Sequence, residues 1–271
     1  MHRPLSQADL LPAGPLRRLG RQVFLFSEIG STNAFLLKQA AALQDGTLAA
    51  AEFQSAGRGR LGRRWLAPRG SSLLLSVLLL EPPDSPLRLY AGLLAALAAR
   101  ETIEAETDCR PTLRWPNDLM VAGRKLGGVL AESTPLPRSC ARADLRLALV
   151  VGIGINCLQQ RGHYPAELVP NATSLEIECR HPVDRPALCR ALLRRLDAAF
   201  TQTAPGAFDW SASHAAWLAH SDDLGARVRL QQDGRTFTGT VLDIVEGGDL
   251  LVQLDQGARR RFASATTTRL R

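Results

Sequence analysis

The sequence predicts an α+β protein in which a domain built on a mixed β-sheet is followed by a small barrel-like β module. Three observations carry this expectation. Short apolar runs arranged as hairpins are mixed with helical spacings that do not alternate regularly with them. From about Leu224 the texture changes to short strands separated by Asp233-Gly234 and Gly247-Gly248, both hairpin signals. The 271 residues suffice for one large domain and one small one, at roughly 100 to 200 residues per domain. The expected division is 1–222 and 223–271.

The chain opens with strand and then helix. Val23 to Phe26 is a short apolar run, and Ser31-Thr32-Asn33 places a cap residue before the helical spacing of Phe35, Leu36, Leu37 and Ala40. Leu48 to Phe53 is a second strand ending at Gln54. Ser55 to Gly70 has four glycines, five arginines and no periodicity, which marks a long loop. Ser72 to Leu80 is too short for a helix and too apolar for an exposed strand, so it reads as a central strand buried on both faces. After the prolines at 82, 83 and 86, Leu87 to about Glu104 has helical spacing, with Leu89, Leu93, Leu94 and Leu97 on one face.

Thr112 to Trp115, a Pro116-Asn117-Asp118 corner, Leu119 to Val121, a turn at Gly123 and Lys125 to Glu132 form a hairpin series that feeds residues toward one place. Arg146 to Val151 is a further strand, expected to end at Gly152-Ile153-Gly154-Ile155-Asn156. There alternating glycines let backbone approach a ligand while the isoleucines face the core. Ala187 to Phe200 and Ala207 to Ala219 read as helices. The terminal module reads as Val228 to Leu230, Phe237 to Val245, Leu250 to Leu254 and Arg261 to Ala263.

Composition excludes several classes. With 45% hydrophobic and 22% charged residues the chain is neither collagenous, coiled-coil nor largely disordered. Its longest apolar run, Leu73 to Leu80, is far below the about 20 residues that span a bilayer. The first 21 residues lack the charged start, apolar block and small-residue cleavage site of a secretory signal. No membrane partner is expected, and the expected compartment is cytoplasmic. Cys109, Cys140, Cys157, Cys179 and Cys189 are an odd number without a C-x-x-C pair, so free thiols are expected rather than disulfides or zinc. Cys179 and His181 bring two ligand types close with no second pair, and no metal site is expected. The net charge is +7, and of 33 lysines and arginines only Lys38 and Lys125 are lysine. Codon bias is the expected reason for most of that preference, with a nucleic-acid or other polyanion partner as the alternative. The stretch holding Arg58, Arg60, Arg63, Arg64 and Arg69, with no acid between Glu52 and Glu81, needs a separate reading.

In Gly57-Arg58-Gly59-Arg60-Leu61-Gly62-Arg63, interleaved glycines let backbone N–H groups curl around an anion while guanidinium forks approach it. This makes a candidate phosphate or carboxylate loop; an RNA-contacting loop or a solvated turn fits the tract alone equally well. The pattern is neither G-x-G-x-x-G nor G-x-x-x-x-G-K-[ST], so a dinucleotide fingerprint or P-loop is not supported. Lys125 weighs more. In a chain that otherwise uses arginine, a lysine before Leu126-Gly127-Gly128 suggests that a compact ammonium is needed there. Asp118 supplies a carboxylate that the hairpin would hold near it. Cation, carboxylate, anion loop and glycine-rich strand together suit a carboxylate attacking a phosphate ester.

Five ordered blocks carry a resemblance. They are Ser31-Thr32-Asn33; Gln54 with Gly57 to Trp65; Trp115-Pro116-Asn117-Asp118; Lys125-Leu126-Gly127-Gly128-Val129-Leu130-Ala131-Glu132; and Gly152 to Asn156. In this order they resemble the biotin protein ligases, and the module after 224 is similar to that family's small C-terminal domain. The resemblance implies a catalytic domain related to class II aminoacyl-tRNA synthetases, with a C-terminal SH3-like β-barrel. It also implies two half-reactions, in which biotin and MgATP give biotinyl-5′-AMP and a lysine of a biotin carboxyl carrier protein then takes the biotinyl group. ATP with its Mg²⁺ and biotin are the expected ligands. The expected partner is the carrier domain of acetyl-CoA carboxylase or a related carboxylase; a homodimer is left open.

By the same resemblance, Ser31, Thr32 and Asn33 would hold biotin's ureido head with Gln54 beside it, and Gly127, Gly128 and Gly154 would belong to the biotin site. Arg58, Gly59 and Arg60 would close over the acyl phosphate. Lys125 would touch both the biotin carboxylate and the α-phosphate, and Asp118 would orient or deprotonate the incoming lysine. Arg58, Arg60, Arg63, Trp65, Asn117, Lys125 and Asn156 would serve ATP, with Trp65 on the adenine side. Arg58, Arg60, Asp118 and Lys125 are thus the expected catalytic group.

Two departures from the family pattern stand out. Arg114 occupies the place where a lysine usually precedes Trp-Pro-Asn-Asp. Only about 22 residues precede the first strand, where bifunctional members carry a winged-helix DNA-binding domain, so the expectation is a monofunctional enzyme with no DNA partner. A lipoate or octanoyl transferase shares the fold and the acyl-to-lysine chemistry and is the nearest rival. A basic RNA-binding protein is the rival of another class, although 5% aromatic residues give it few stacking platforms.

Overall fold

Leu73, Leu75, Val77 and Leu79 point to one side of a single strand and Leu78 and Leu80 to the other, and both sets are fully or almost fully buried. That strand is the middle of the protein. The computed structural model describes residues 3–137, 145–201 and 208–270. Cys140, the Ala207 start of an expected helix, and the outer limits 1 and 271 of the expected domains lie outside the described residues.

Seven strands form the larger sheet: β1 (Val23–Phe26), β2 (Leu48–Ala51), β3 (Ser72–Glu81), β4 (Thr112–Arg114), β5 (Asp118–Val121), β6 (Arg124–Pro135) and β7 (Leu147–Asn156). Their spatial order is β1-β2-β3-β7-β6-β5-β4. Only β1 and β2 run parallel; the other neighbours are antiparallel, and the sheet is therefore mixed as expected. The register Ser72↔Asn156 through Glu81↔Leu147 pairs β3 with β7 along their whole length.

Two helix layers cover this sheet. On one face α3 (Leu87–Glu106) and α5 (Arg185–Thr201) pack against the odd-numbered residues of β3 and β7. On the other, α2 (Thr32–Gln39) sets Leu36 against Leu78, Leu80, Ala148 and Val150. Ser31 caps α2, its hydroxyl accepting from the Ala34 amide. Burying the two leucine rows of β3 removes enough apolar surface, at about 25 cal/mol per Å², to fix the strand's register. A one-residue slip would place Ser76 in the α3 layer. Shorter helices α1 (Gln7–Leu10), α4 (Leu175–Cys179) and α6 (Ser211–Ala219) complete the helical part.

The N-terminal segment is fastened by buried acids. Glu52 accepts from the Leu5 amide at 2.6 Å and pairs with Arg185 at 3.0 Å. The Asp197 carboxylate takes the backbone amides of Arg17, Arg18 and Leu19 at 2.7 to 2.8 Å.

The five-stranded antiparallel sheet has the order β11-β10-β9-β8-β12, from β8 (Arg227–Gln232), β9 (Arg235–Ile244), β10 (Leu250–Leu254), β11 (Arg259–Phe262) and β12 (Thr268–Leu270). It docks on the β4 corner and α3. The Trp115 indole donates to the Gly248 carbonyl at 2.9 Å, the Gly247 amide donates to the Tyr90 hydroxyl at 2.8 Å, and Asp223 receives both the Trp115 amide and Arg269. Gly248 takes a left-handed backbone at φ 80° while packing on Leu93, a combination that favours glycine.

Three details differ from the sequence reading. Leu89 is 58% exposed rather than sharing the buried face of Leu93, Leu94 and Leu97; it sits in the first turn of α3, at the edge of the Gly247-Gly248 loop that closes over Leu93. β7 does not stop at the glycines but continues through them to Asn156, since their backbone pairs with both β3 and β6. The helices α1 and α4 and the strand β12 went unanticipated. They are four, five and three residues long, too short to show a period. Among the described residues no helix is long and apolar enough to cross a membrane.

Candidate active site

On the α2 face of the large sheet the packed layer gives way to a cavity. Along β7 that face reads Ala148, Val150, Gly152, Gly154, so the side chains that fill the α2 core vanish where the cavity begins. Each glycine makes room for a particular group. A Cβ on Gly152 would collide with the Asn33 carboxamide, one on Gly154 would lie 2.8 Å from the Trp65 ring, and one on Gly128 would lie 3.2 Å from Lys125 Nζ. The resulting cavity has a volume of about 850 Å³ and is lined by both sheets, by the Ser55–Gly70 loop and by the start of α2.

One end is a chain of polar groups. Gln54 Oε1 accepts from the Thr32 amide at 2.8 Å and from its hydroxyl at 3.1 Å. The Thr32 hydroxyl meets Ser76 Oγ at 2.7 Å, and Ser76 donates to Asn33 Oδ1 at 2.6 Å. Asn33 Nδ2 donates to Glu132 at 2.9 Å and to the Leu130 carbonyl at 3.1 Å. Ser31, Thr32, Asn33 and Ser76 are all buried, and a buried polar chain satisfied in this way fixes the orientation of every member. It suits the polar head of a small ligand.

The other end is cationic. The glycine-arginine loop folds back on itself: the Gly59 amide donates to the Arg63 carbonyl at 2.7 Å, the Trp65 amide to the Gly57 carbonyl at 3.0 Å, and Leu61 takes a left-handed backbone at φ 54°. Gly57 packs so tightly that a Cβ would lie 2.5 Å from the Trp65 carbonyl. The loop brings Arg58, Arg60 and Arg63 to the cavity, β6 brings Lys125, and the five-stranded sheet brings Arg229 and Arg269. Asp118 is the one acid among the described lining residues. Such a field, enclosed by low-dielectric walls, attracts a polyanion.

Lys125 stands between the two ends. Its ammonium is paired with the Asp118 carboxylate across the β5–β6 hairpin and lies 5.7 Å from the Trp65 ring centre. Arg58 pairs with Glu132 at 2.7 Å. Arg60 turns away from the loop and donates to the Ser264 and Thr267 carbonyls, the latter at 3.2 Å. Burial pulls its pKa below the ordinary arginine value, with Asp118 opposing. Asn117 Nδ2 donates to the Val129 carbonyl, and the peptide between Trp115 and Pro116 is cis. Two buried nitrogens at the cavity, Trp65 Nε1 and Arg114 Nε, have no acceptor within the protein.

Of the residues singled out from sequence, Ser31, Thr32, Asn33, Gln54, Arg58, Gly59, Arg60, Arg63, Trp65, Asn117, Asp118, Lys125, Gly128 and Gly154 line this cavity. Two do not. Gly127 turns to the other face, where a Cβ would lie 2.9 Å from Leu119. The Asn156 carboxamide is spent internally, donating to the Thr173 carbonyl and accepting from Gln159, both at 2.9 Å. Ser76 lines the cavity and Glu132 stands behind it, holding Asn33 and Arg58; sequence reasoning singles out neither. A lone hydroxyl in the otherwise apolar run of β3 was the available signal for Ser76. Among the described residues there is no group of three or more His, Cys, Asp or Glu placed to hold a metal ion.

Residues 25–156 match the biotin/lipoate A/B protein ligase family, and residues 223–266 match the biotin protein ligase C terminal domain. The biotin–[acetyl-CoA-carboxylase] ligase of Mycobacterium tuberculosis is 35% identical over 259 residues, covering 90% of this chain and 87% of that protein. The bifunctional ligase/repressor BirA of Bacillus spizizenii is 31% identical over 222 residues, which are 81% of this chain; the chain spans 65% of that relative's length. Among solved structures, the biotin protein ligase from Aquifex aeolicus in complex with biotin and ATP superposes with a TM-score of 0.76 at 27% identity, covering 93% of this chain and 100% of that one.

Proposed function

The chain belongs to the biotin protein ligase family, and on that premise we propose that it activates biotin with ATP to biotinyl-5′-AMP and transfers the biotinyl group to a lysine of a biotin carboxyl carrier protein. The observation that carries this reading is a single cavity with a neutral hydrogen-bonding chain at one end, a cationic loop at the other and Lys125 between them. A ureido head and a triphosphate are the two ligand chemistries that those ends suit. The match of the terminal module to the biotin protein ligase C terminal domain favours biotin over lipoate.

In the first half-reaction a carboxylate oxygen of biotin attacks the α-phosphorus of ATP, and pyrophosphate leaves with the bond electrons. Both reactants are anions, so the chief task is to bring them together and hold the added charge. Thr32, Asn33 and Gln54 orient the head, Lys125 holds the oxygens shared between carboxylate and α-phosphate, and Arg58, Arg60 and Arg63 face the phosphates. Trp65 flanks the adenylate, its free indole N–H being available to an acceptor there. Mg²⁺ travels on the triphosphate and neutralises part of its charge. In the second half-reaction a neutral carrier lysine attacks the acyl carbon and AMP leaves. Asp118, already at the hairpin corner, orients that amine or takes its proton.

The expected architecture in its finer form belongs to the same proposal. The larger sheet with its helices, up to residue 222, is a catalytic domain akin to class II aminoacyl-tRNA synthetases, and the five-stranded module from 223 is SH3-like. The carrier is the biotinyl domain of acetyl-CoA carboxylase or a related carboxylase. The test is direct: incubation with biotin, ATP, Mg²⁺ and a carrier domain should add one biotinyl mass to the carrier, and pyrophosphate exchange into ATP should depend on biotin. Exchange that depends on lipoate and not on biotin would replace this reading.

A further inference from the structure

We infer that Glu132 is a positioning residue that couples the two ends of the cavity; the inference rests on the ligase reading and names a residue acting through two others. Glu132 lies behind the cavity wall, its side chain 20% exposed. One carboxylate oxygen receives Asn33 Nδ2 at 2.9 Å and the other receives Arg58 Nη2 at 2.7 Å. A single acid thus ties a member of the polar chain to the first arginine of the anion loop.

The two partners differ in freedom. Asn33 is held from every side: its oxygen accepts from Ser76 at 2.6 Å, its nitrogen also reaches the Leu130 carbonyl, and Gly152 leaves no space behind it. Arg58 is 47% exposed on a glycine-flanked loop, and Glu132 is its one acidic partner among the described residues. An anion entering the cavity therefore exchanges with Glu132 for the Arg58 guanidinium. The exchange happens once. The first ligand that draws Arg58 away breaks the Arg58–Glu132 pair, and the second meets an arginine already released. Glu132 then has Asn33 as its remaining side-chain donor, and a charge-assisted bond concentrated on one donor holds the head-binding carboxamide more firmly. Linkage makes this reciprocal, so biotin must tighten the nucleotide by the same factor as the nucleotide tightens biotin.

Isothermal titration of the full chain tests this with biotin and with α,β-methylene-ATP plus Mg²⁺ as a non-reacting nucleotide. Each ligand is titrated alone and in the presence of the other. In the wild type the two should tighten each other by about 5- to 150-fold, the usual range of coupling between sites. Glu132→Gln keeps the shape and an oxygen for Asn33 but drops the charge that holds Arg58. In it the nucleotide analogue alone should bind more tightly, and the coupling factor should fall to within about twofold of one. Arg58→Gln should abolish the coupling as well, and the double variant should lose no more than either single one. Equal weakening of both ligands in Glu132→Gln with the coupling factor unchanged would mean a merely structural role and would overturn the inference. Independent binding of both ligands by the wild type would overturn it too while leaving the ligase reading intact. A wild type that binds neither ligand overturns the ligase reading, and this inference with it.

Discussion

The Asn33 carboxamide passes directly over Gly152, so close that a Cβ at that position would collide with it. A helix start and a sheet strand, 119 positions apart by subtraction of their residue numbers, are thereby fitted to one another. Gly152→Ala should push Asn33 off Ser76 and Glu132, with an overpacking cost of about 1 to 3 kcal/mol. Biotin affinity measured by titration should fall at least about tenfold, since each 1.4 kcal/mol is one decade. Unchanged affinity would show that the biotin head is bound elsewhere.

Arg60 spans the two sheets, its guanidinium resting on the Ser264 and Thr267 carbonyls of the terminal module. That contact anchors the loop from outside the large sheet. Arg60→Gly should free it, so hydrogen exchange between 55 and 70 rises and biotinyl-adenylate escapes to water and stray amines before the carrier arrives. The readout is labelling of a bystander protein's lysines, expected to increase. Labelling confined to the carrier would show that the anchor does not retain the intermediate.

Much of this was legible in the sequence because the relevant signals are local. β3 announced itself by being apolar on both of its alternating faces, and the glycines of β7 by removing every second side chain. Lys125 stood out against a background of arginine, and its pairing with Asp118 followed from a hairpin short enough to close. What stayed hidden depends on contacts between distant parts of the chain. Glu132 looks like the polar end of a strand until Asn33 and Arg58 are seen on its two oxygens. Arg60 reads as one more loop cation, since nothing near it in sequence indicates Ser264. Asp197 and Glu52 are unremarkable acids locally, and their partners lie more than 40 positions away. β12 has no apolar alternation and exists because β8 offers it an edge.

Those buried acids make a stability prediction. The Asp197 carboxylate satisfies three backbone amides, and Asp197→Ala leaves them with no acceptor. Each unsatisfied buried group costs about 1 to 3 kcal/mol, less where water reaches it. Chemical denaturation should show a loss of about 2 kcal/mol or more, with biotin binding to the remaining folded protein unchanged. A loss below about 0.5 kcal/mol, the range of an ordinary surface substitution, would mean that water replaces the carboxylate.

Burial pushes the thiols of Cys157 and Cys189 up to about 12, because the thiolate would be desolvated in the core. Their unfolded value is near 9. Below pH 9 both states hold the proton and these groups leave stability independent of pH. Between pH 9 and 12 the unfolded chain releases protons that the fold retains, so stability should fall as pH rises through that window. The same burial predicts that iodoacetamide at pH 8 leaves Cys157 and Cys189 unmodified in the native protein and alkylates both in denaturant, as peptide mass mapping would read. Native alkylation of either would mean that the core around β7 and α5 opens.

Lys125 carries the sharpest chemical prediction. Its ammonium is held by Asp118 beside Trp65, at the boundary between the polar and cationic ends, which is where the proposed function puts the meeting of the biotin carboxylate and the α-phosphate. A compact ammonium can face two oxygens of different groups at once, whereas arginine keeps the charge but spreads it over a planar fork. Gly128 tolerates little more bulk there, since its missing Cβ would already lie 3.2 Å from the lysine terminus. Removing one such preorganised electrostatic contact costs on the order of 10²- to 10³-fold in rate. Lys125→Arg should therefore slow biotin-dependent pyrophosphate exchange by about that factor, while transfer to the carrier from chemically supplied biotinyl-5′-AMP suffers less. Asp118→Asn should show the reverse weighting if, as proposed, the carboxylate acts on the incoming amine and reaches the first step only through Lys125. If both variants slowed both half-reactions equally, the two residues would act as one structural pair and their separate chemical roles would fall.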